Sequence, residues 1–248
     1  MNRLPPLLWA LLLIFSAVRV SIGKAFAAGP HQANPAQDQS ASITTTHGDV
    51  DLSRYEASIR AFEAQDQKKP QAQGATVFVG SSTFAHWTTL EQEFKDLGAI
   101  NRGFGGSTIA EVNHYSDRIV LKHKPKRIVF YAGTNDIGEL GHSGQQVAQD
   151  FKKFVGIVHS KLPSTDIYFI SLSVAPIRLQ NASEFRDGNQ CILAYCQKTA
   201  RLHFIDVTPV MREKDGRLKD ELFGPDRLHM NDRGYAVWIP VIRKALSN

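Results

Sequence analysis

"TVFVGSSTFAHW", residues 76–87, is an apolar run that stops at Gly80, Ser81 and Ser82 and passes into an aromatic cluster. A run of Val and Phe without polar alternation is buried on both faces, the habit of parallel strands covered by helices. Four more β-rich runs follow it: "AINRGF" (99–104), "RIVFYAG" (127–133), "DIYFIS" (166–171) and "HFIDV" (203–207). Helix-compatible segments separate them at Ile109–Leu121, Gln145–Leu162 and Glu184–Thr199. A last helix is predicted over Asp232–Leu246, with Asn231 as its N-cap. Strands alternating with helices predict an α/β fold, a three-layer α/β/α sandwich around a five-stranded parallel sheet. In such sheets function collects at the carboxyl ends of the strands.

Outward from this core the chain changes character. Residues 1–27 carry Arg3, an apolar stretch from Leu7 to Val18, and the small-x-small site Ala25-Phe26-Ala27, the pattern of an export signal. The apolar stretch is shorter than the roughly 20 residues of a membrane span. The expected location is therefore exported, periplasmic or secreted, without stable membrane insertion once the leader is cut. Residues 28–49 are small, polar and without periodicity and read as a disordered linker, which places the folded domain at 50–248. Within it Leu52, Tyr55, Ile59 and Phe62 form one apolar helical stripe. Removing the leader takes away three cations and no acids, so the formal charge of +5 falls to +2. With no basic run interleaved by aromatics, nothing points to nucleic acid. Cys191 and Cys196, five residues apart on a predicted helix, face different ways and are expected unbridged.

The strand ends carry the chemistry. After the first come Ser81 and Ser82; after the second, "GFGGST" (103–108); after the third, "GTND" (133–136); ahead of the last helix, "DRLH" (226–229). A serine hydroxyl needs a base, which His229 can supply, and the histidine needs an acceptor on its other nitrogen, which Asp226 can supply. The oxyanion formed on attack needs donors: the N–H groups of Ser82 and Gly106 and the Asn135 amide. Asp136 reads as structural support for its loop. Phe84, His86 and Trp87 are candidates for a pocket lining, with packing of the sheet the competing role for Phe84 and Trp87. Arg178 is a candidate substrate contact, with a solvated loop position as the alternative. "GHSGQ" (141–145) mimics a nucleophile elbow but lacks the closing glycine and a preceding strand, so it reads as a loop before a helix.

"FVGSS" (78–82), "NRGFGGST" (101–108), "YAGTND" (131–136) and "DRLHMNDRGY" (226–235) resemble, in order and spacing, the signature blocks of the SGNH/GDSL hydrolases. The resemblance covers about residues 75–245. It implies a flavodoxin-like sandwich and ester hydrolysis through an acyl-enzyme, with neither metal nor organic cofactor. By motif position it implies Ser82 as nucleophile, Asp226 and His229 as acid and base, and Gly106 and Asn135 as oxyanion donors. The first block departs from the pattern: Ser81 stands where the family usually has aspartate, which puts loop support and substrate preference in question. The expected function is an exported serine ester hydrolase acting on a small-molecule or glycan ester, with short acyl or acetyl groups foremost. The alternatives are a carbohydrate O-acyltransferase and a non-catalytic envelope- or carbohydrate-binding protein on the same fold. Oligomeric state is left open.

Overall fold

The computed structural model describes residues 52–71 and 73–247; the predicted leader and linker lie outside them. A 3₁₀ turn, Leu52–Tyr55, leads into α1 (Glu56–Lys68). Then come β1 (Thr76–Gly80), the one-turn helices α2 (Ser82–Ala85) and α3 (Leu90–Glu93), and β2 (Ala99–Gly103). The chain continues through α4 (Ile109–Ile119), β3 (Arg127–Tyr131), α5 (Thr134–Gly138) and α6 (Gly144–Lys161). It ends with β4 (Asp166–Ile170), α7 (Ala182–Lys198), β5 (Leu202–Ile205) and α8 (Asp232–Leu246). The five strands are all parallel, in the order β2-β1-β3-β4-β5. That order is the flavodoxin-like arrangement, with its switch point beside β1.

Alternation of side chains along each strand feeds two cores. Val77, Val79, Ile128, Phe130, Ile167 and Phe169 point to the face that packs residues of α1, α4, α6 and α7. Phe78, Val129, Tyr131, Tyr168 and Ile170 point to the other, closed by α8 through Tyr235, Trp238 and Ile242. Burial on both faces explains why the strands read as unbroken apolar runs. The predicted stripe on α1 holds for Ile59, which is fully buried, with Tyr55 and Phe62 packed beside it. Ser143 of the elbow-like "GHSGQ" is a helix cap: its Oγ accepts from Gln146 N–H at 3.2 Å while Gln146 Oε1 accepts from Ser143 N–H at 2.7 Å. Both cysteines are free thiols, and burial pushes Cys196 up to about 11. No described helix is long and apolar enough to cross a membrane.

The end of β1 is fixed by steric contact. A Cβ on Gly80 would fall 1.9 Å from the Tyr131 carbonyl oxygen, inside the backbone of β3. Only glycine lets the strands stay paired at this point, and Ser81 N–H then donates to that same carbonyl at 3.1 Å. Gly80→Ala is therefore expected to destabilise the domain by about 1–3 kcal/mol or more, read as a lowered midpoint of thermal unfolding.

Candidate functional site

Ser82 opens α2 directly after β1, half-buried, while its neighbour Ser81 is 1% exposed with no hydrogen-bond partner for its Oγ among the described residues. A hydroxyl sealed in this way cannot meet a substrate. Ser82 lines an open cleft of about 500 Å³ together with Gly106, Asn135, His86 and His229. The structure thus brings the predicted residues from three strand ends and from the loop before α8 to one place.

His229 is held by its own loop. Its Nδ1 lies 2.6 Å from Asp226 Oδ2, and Asp226 Oδ1 accepts the N–H groups of Leu228 and His229, each at 3.0 Å. With the carboxylate as acceptor, Nδ1 carries the proton and Nε2 is left as a base. Burial works against ionisation of Asp226, but those N–H donors and the imidazole outweigh it and hold its pKa at about 2. The loop is pinned to α8: Asn231 Oδ1 caps the helix at Arg233 and Gly234, and its Nδ2 donates to the carbonyls of Glu221 and Phe223, both at 2.9 Å. Tyr235 then donates its hydroxyl to Thr83 O at 2.9 Å, tying α8 to the serine helix.

Asn135 is 5% exposed in α5, and its amide orientation is determined by its partners. Oδ1 accepts from an Arg178 guanidinium nitrogen at 3.0 Å, and Nδ2 donates to Ser107 O at 3.0 Å. Arginine has only donors, so the oxygen must face it, and the amide's second N–H is left for the cleft. Gly106 has φ +77°, and a Cβ there would lie 3.0 Å from the Tyr55 hydroxyl. Neither Ser82 N–H nor Gly106 N–H meets a backbone acceptor among the described residues. Asp136 is buried behind the site, where its carboxylate accepts from Ile109 N–H at 3.1 Å; burial pushes it up to about 7 despite that bond.

Two pocket assignments change. Phe84 and Trp87 are 0% and 1% exposed and belong to the core, not the cleft. Trp87 stacks on Tyr235 with ring centroids 4.7 Å apart, so the aromatic cluster after the serine clamps α8. The intervening His86 does line the cleft, its ring 4.3 Å from that of His229; burial and the neighbouring imidazole lower its pKa, against the pull of Asp226. Arg178 is not a solvated loop residue: it is 6% exposed and also donates to Thr134 O at 2.9 Å and Glu139 Oε1 at 2.5 Å. Its guanidinium still borders the cleft and so keeps a path to substrate.

Several cleft residues were not anticipated, among them Arg54 and Tyr55 of the 3₁₀ turn, Glu139, Leu140 and Leu228. Arg54 pairs with the fully buried Glu111 at 2.5 and 2.9 Å, and Glu111 completes the capping box of α4 with Thr108. Tyr55 was visible only as one member of an apolar stripe.

A family model described as GDSL-like lipase/acylhydrolase matches residues 71–237. The chain belongs to the GDSL-like lipase/acylhydrolase family. Among solved structures it is similar to a GDSL-like lipase from Bacteroides thetaiotaomicron, with 20% identity and TM-score 0.67 over 77% of this chain and 98% of that one. It is also similar to a Bacteroides fragilis protein provisionally described as an acylhydrolase, with 22% identity and TM-score 0.66 over 79% and 96%. A carbohydrate esterase family 3 protein from Talaromyces cellulolyticus shares 13% identity and TM-score 0.56 over 69% and 96%. No curated protein matches the sequence significantly. Arg54 and Tyr55 lie outside residues 71–237, the stretch the family model matches.

The Arg178 contact makes a prediction for this GDSL-like chain. Arg178→Met should free the Asn135 amide to turn and lower kcat on a p-nitrophenyl ester toward the roughly 100-fold loss of an oxyanion donor. KM should move much less, and Arg178→Lys should restore part of the rate. Equal losses in Arg178→Met and Arg178→Lys, carried by KM, would instead make it a substrate contact.

Proposed function

We propose that the protein is an exported serine ester hydrolase that removes short acyl groups, acetyl foremost, from a polyhydroxylated alcohol. The observation that carries this reading is the convergence of Ser82, the His229–Asp226 pair and the oriented Asn135 amide on one cleft. Ser82 Oγ attacks the ester carbonyl as His229 Nε2 takes its proton. The charge that develops on the carbonyl oxygen faces the N–H groups of Ser82, Gly106 and the Asn135 amide. His229 returns the proton to the departing alcohol, leaving acyl-Ser82. Water, deprotonated by the same imidazole, then attacks the acyl carbon and releases the carboxylic acid and Ser82.

Cavity size supports the short acyl group. Beside Ser82 a side cavity of about 30 Å³, lined by Thr83, Tyr131, Thr134 and Leu228 among others, has room for about one small group. The wider cleft carries Arg54, Tyr55, His86 and Glu139, polar side chains suited to hydroxyl groups on the alcohol side. The similarity to a carbohydrate esterase agrees with a sugar ester. Export rests on the leader-like residues 1–27.

The test is hydrolysis of p-nitrophenyl acetate and of an acetylated oligosaccharide. Ser82→Ala should lose activity by roughly 10⁴-fold or more, while Ser81→Ala keeps it. With its pKa at about 2, Asp226 stays ionised from about pH 4 upward, so the pH–rate profile should show no step at the ordinary carboxylate pKa of about 4. Acetyl transfer to an added sugar in preference to water would favour the acyltransferase, and inactivity on both esters would remove the hydrolase reading.

A further inference from the structure

A second cavity, of about 380 Å³, lies beneath one face of α7. Ala182, Phe185, Arg186, Asn189, Gln190 and Leu193 border it, positions three or four apart that share one side of a helix. Opposite α7, Leu172, Phe204, Met211 and Leu218 give it a mostly apolar surface, with Asp206, Thr208 and Arg212 also on its border. Two residues, Ser173 and Phe185, line both this cavity and the small one at Ser82. Of the two, Phe185 has the bulk to form a wall, and it is 1% exposed.

Close contacts brace the surroundings of Phe185. Asn189 makes a two-way bond with the backbone of Leu172, accepting its N–H at 2.7 Å and donating to its carbonyl at 2.9 Å. At Gly144, α6 runs against α7 so closely that a Cβ there would lie 2.3 Å from Gly188 N. At these contacts the elements already sit at closest approach, which resists closure around Phe185. Removing the ring would therefore join the two cavities instead of collapsing them.

We propose that Phe185 sets the acyl length this protein accepts: its ring separates the acyl cavity at Ser82 from a mostly apolar chamber with room for a medium fatty acyl chain. The proposal rests on the ester-hydrolase reading above. In the wild type the chamber is closed to the acyl group, and only the smallest esters place their carbonyl at the oxyanion donors. Without the ring, methylenes beyond the second carbon pass into the chamber, each one buried being worth about fourfold in binding.

The experiment compares kcat/KM on p-nitrophenyl acetate, butyrate, hexanoate and octanoate for the wild type, Phe185→Ala and the gentler Phe185→Leu. Thermal melts accompany the assays to show that each variant is folded. The wild type should decline steeply from acetate to octanoate. Phe185→Ala should raise the octanoate-to-acetate ratio at least about tenfold, with Phe185→Leu between the two. Filling the chamber in the Phe185→Ala background, by Leu218→Trp, should cancel the gain, which general loosening of the fold would not explain. A wild type that cleaves octanoate as well as acetate, or a folded variant that keeps the wild-type length profile, overturns the proposal while leaving the hydrolase reading intact. Wild-type inactivity on acetate and on every longer ester removes that reading, and this one with it.

Discussion

Gly80 carries no side chain because the carbonyl of Tyr131 occupies the space one would need, and the rest of the site hangs from that junction. Its own carbonyl accepts Phe104 N–H at 3.0 Å and Ser107 Oγ at 3.3 Å, which fixes the loop after β2 against the end of β1. Ser107 O in turn holds the Asn135 amide, and Arg178 holds its other end. A continuous chain of hydrogen bonds thus runs from the strand that presents Ser82 to the amide that faces the same cleft. Ser82 is two residues past the junction, so a shift of β1 against β3 would move it away from Asn135. Buried hydrogen bonds of this kind resist such a shift, since breaking one leaves polar groups without partners.

His229 comes from the far end of the sequence, where the parallel sheet offers it no strand end. Its position depends on two other devices: a loop folded on Asp226 and Asn231, and a helix bound to the serine side by aromatic packing. Trp87 and Tyr235 stack across that boundary, and the Tyr235 hydroxyl reaches the backbone at Thr83. The aromatic residues that follow Ser82 therefore set its distance from His229 from within the core. Such pairs add stability beyond the area they bury, which suits a junction between two separately built elements.

The sheet and the order of the candidate residues were legible because each rests on local signals. Apolar runs of strand length mark β1 to β5, and glycine, serine and asparagine at their ends mark the turns. Asn231 as the cap of α8 is likewise a local feature, and that helix begins where the sequence places it. What was not legible depends on partners distant in the chain. Arg178 bonds to Asn135 across 43 positions, and only folding shows that a charged loop residue is buried there. Phe84 and Trp87 carry the same aromatic signal whether they line a pocket or a core; the direction of a one-turn helix decides between them. Arg54 and Tyr55 reach the cleft because the 3₁₀ turn ahead of α1 folds onto Glu111 and Gly106, a contact no spacing in the sequence announces.

The central claim is that Ser82, and no other hydroxyl, is activated by the His229–Asp226 pair. Incubating the protein with a fluorophosphonate and mapping the adduct by peptide mass spectrometry tests it most directly, because the reagent traps only a serine made nucleophilic by its base. The account predicts a single adduct on Ser82, lost when His229 is replaced by alanine. An adduct on Ser81 or Ser107, or labelling of Ser82 that persists without His229, would contradict it.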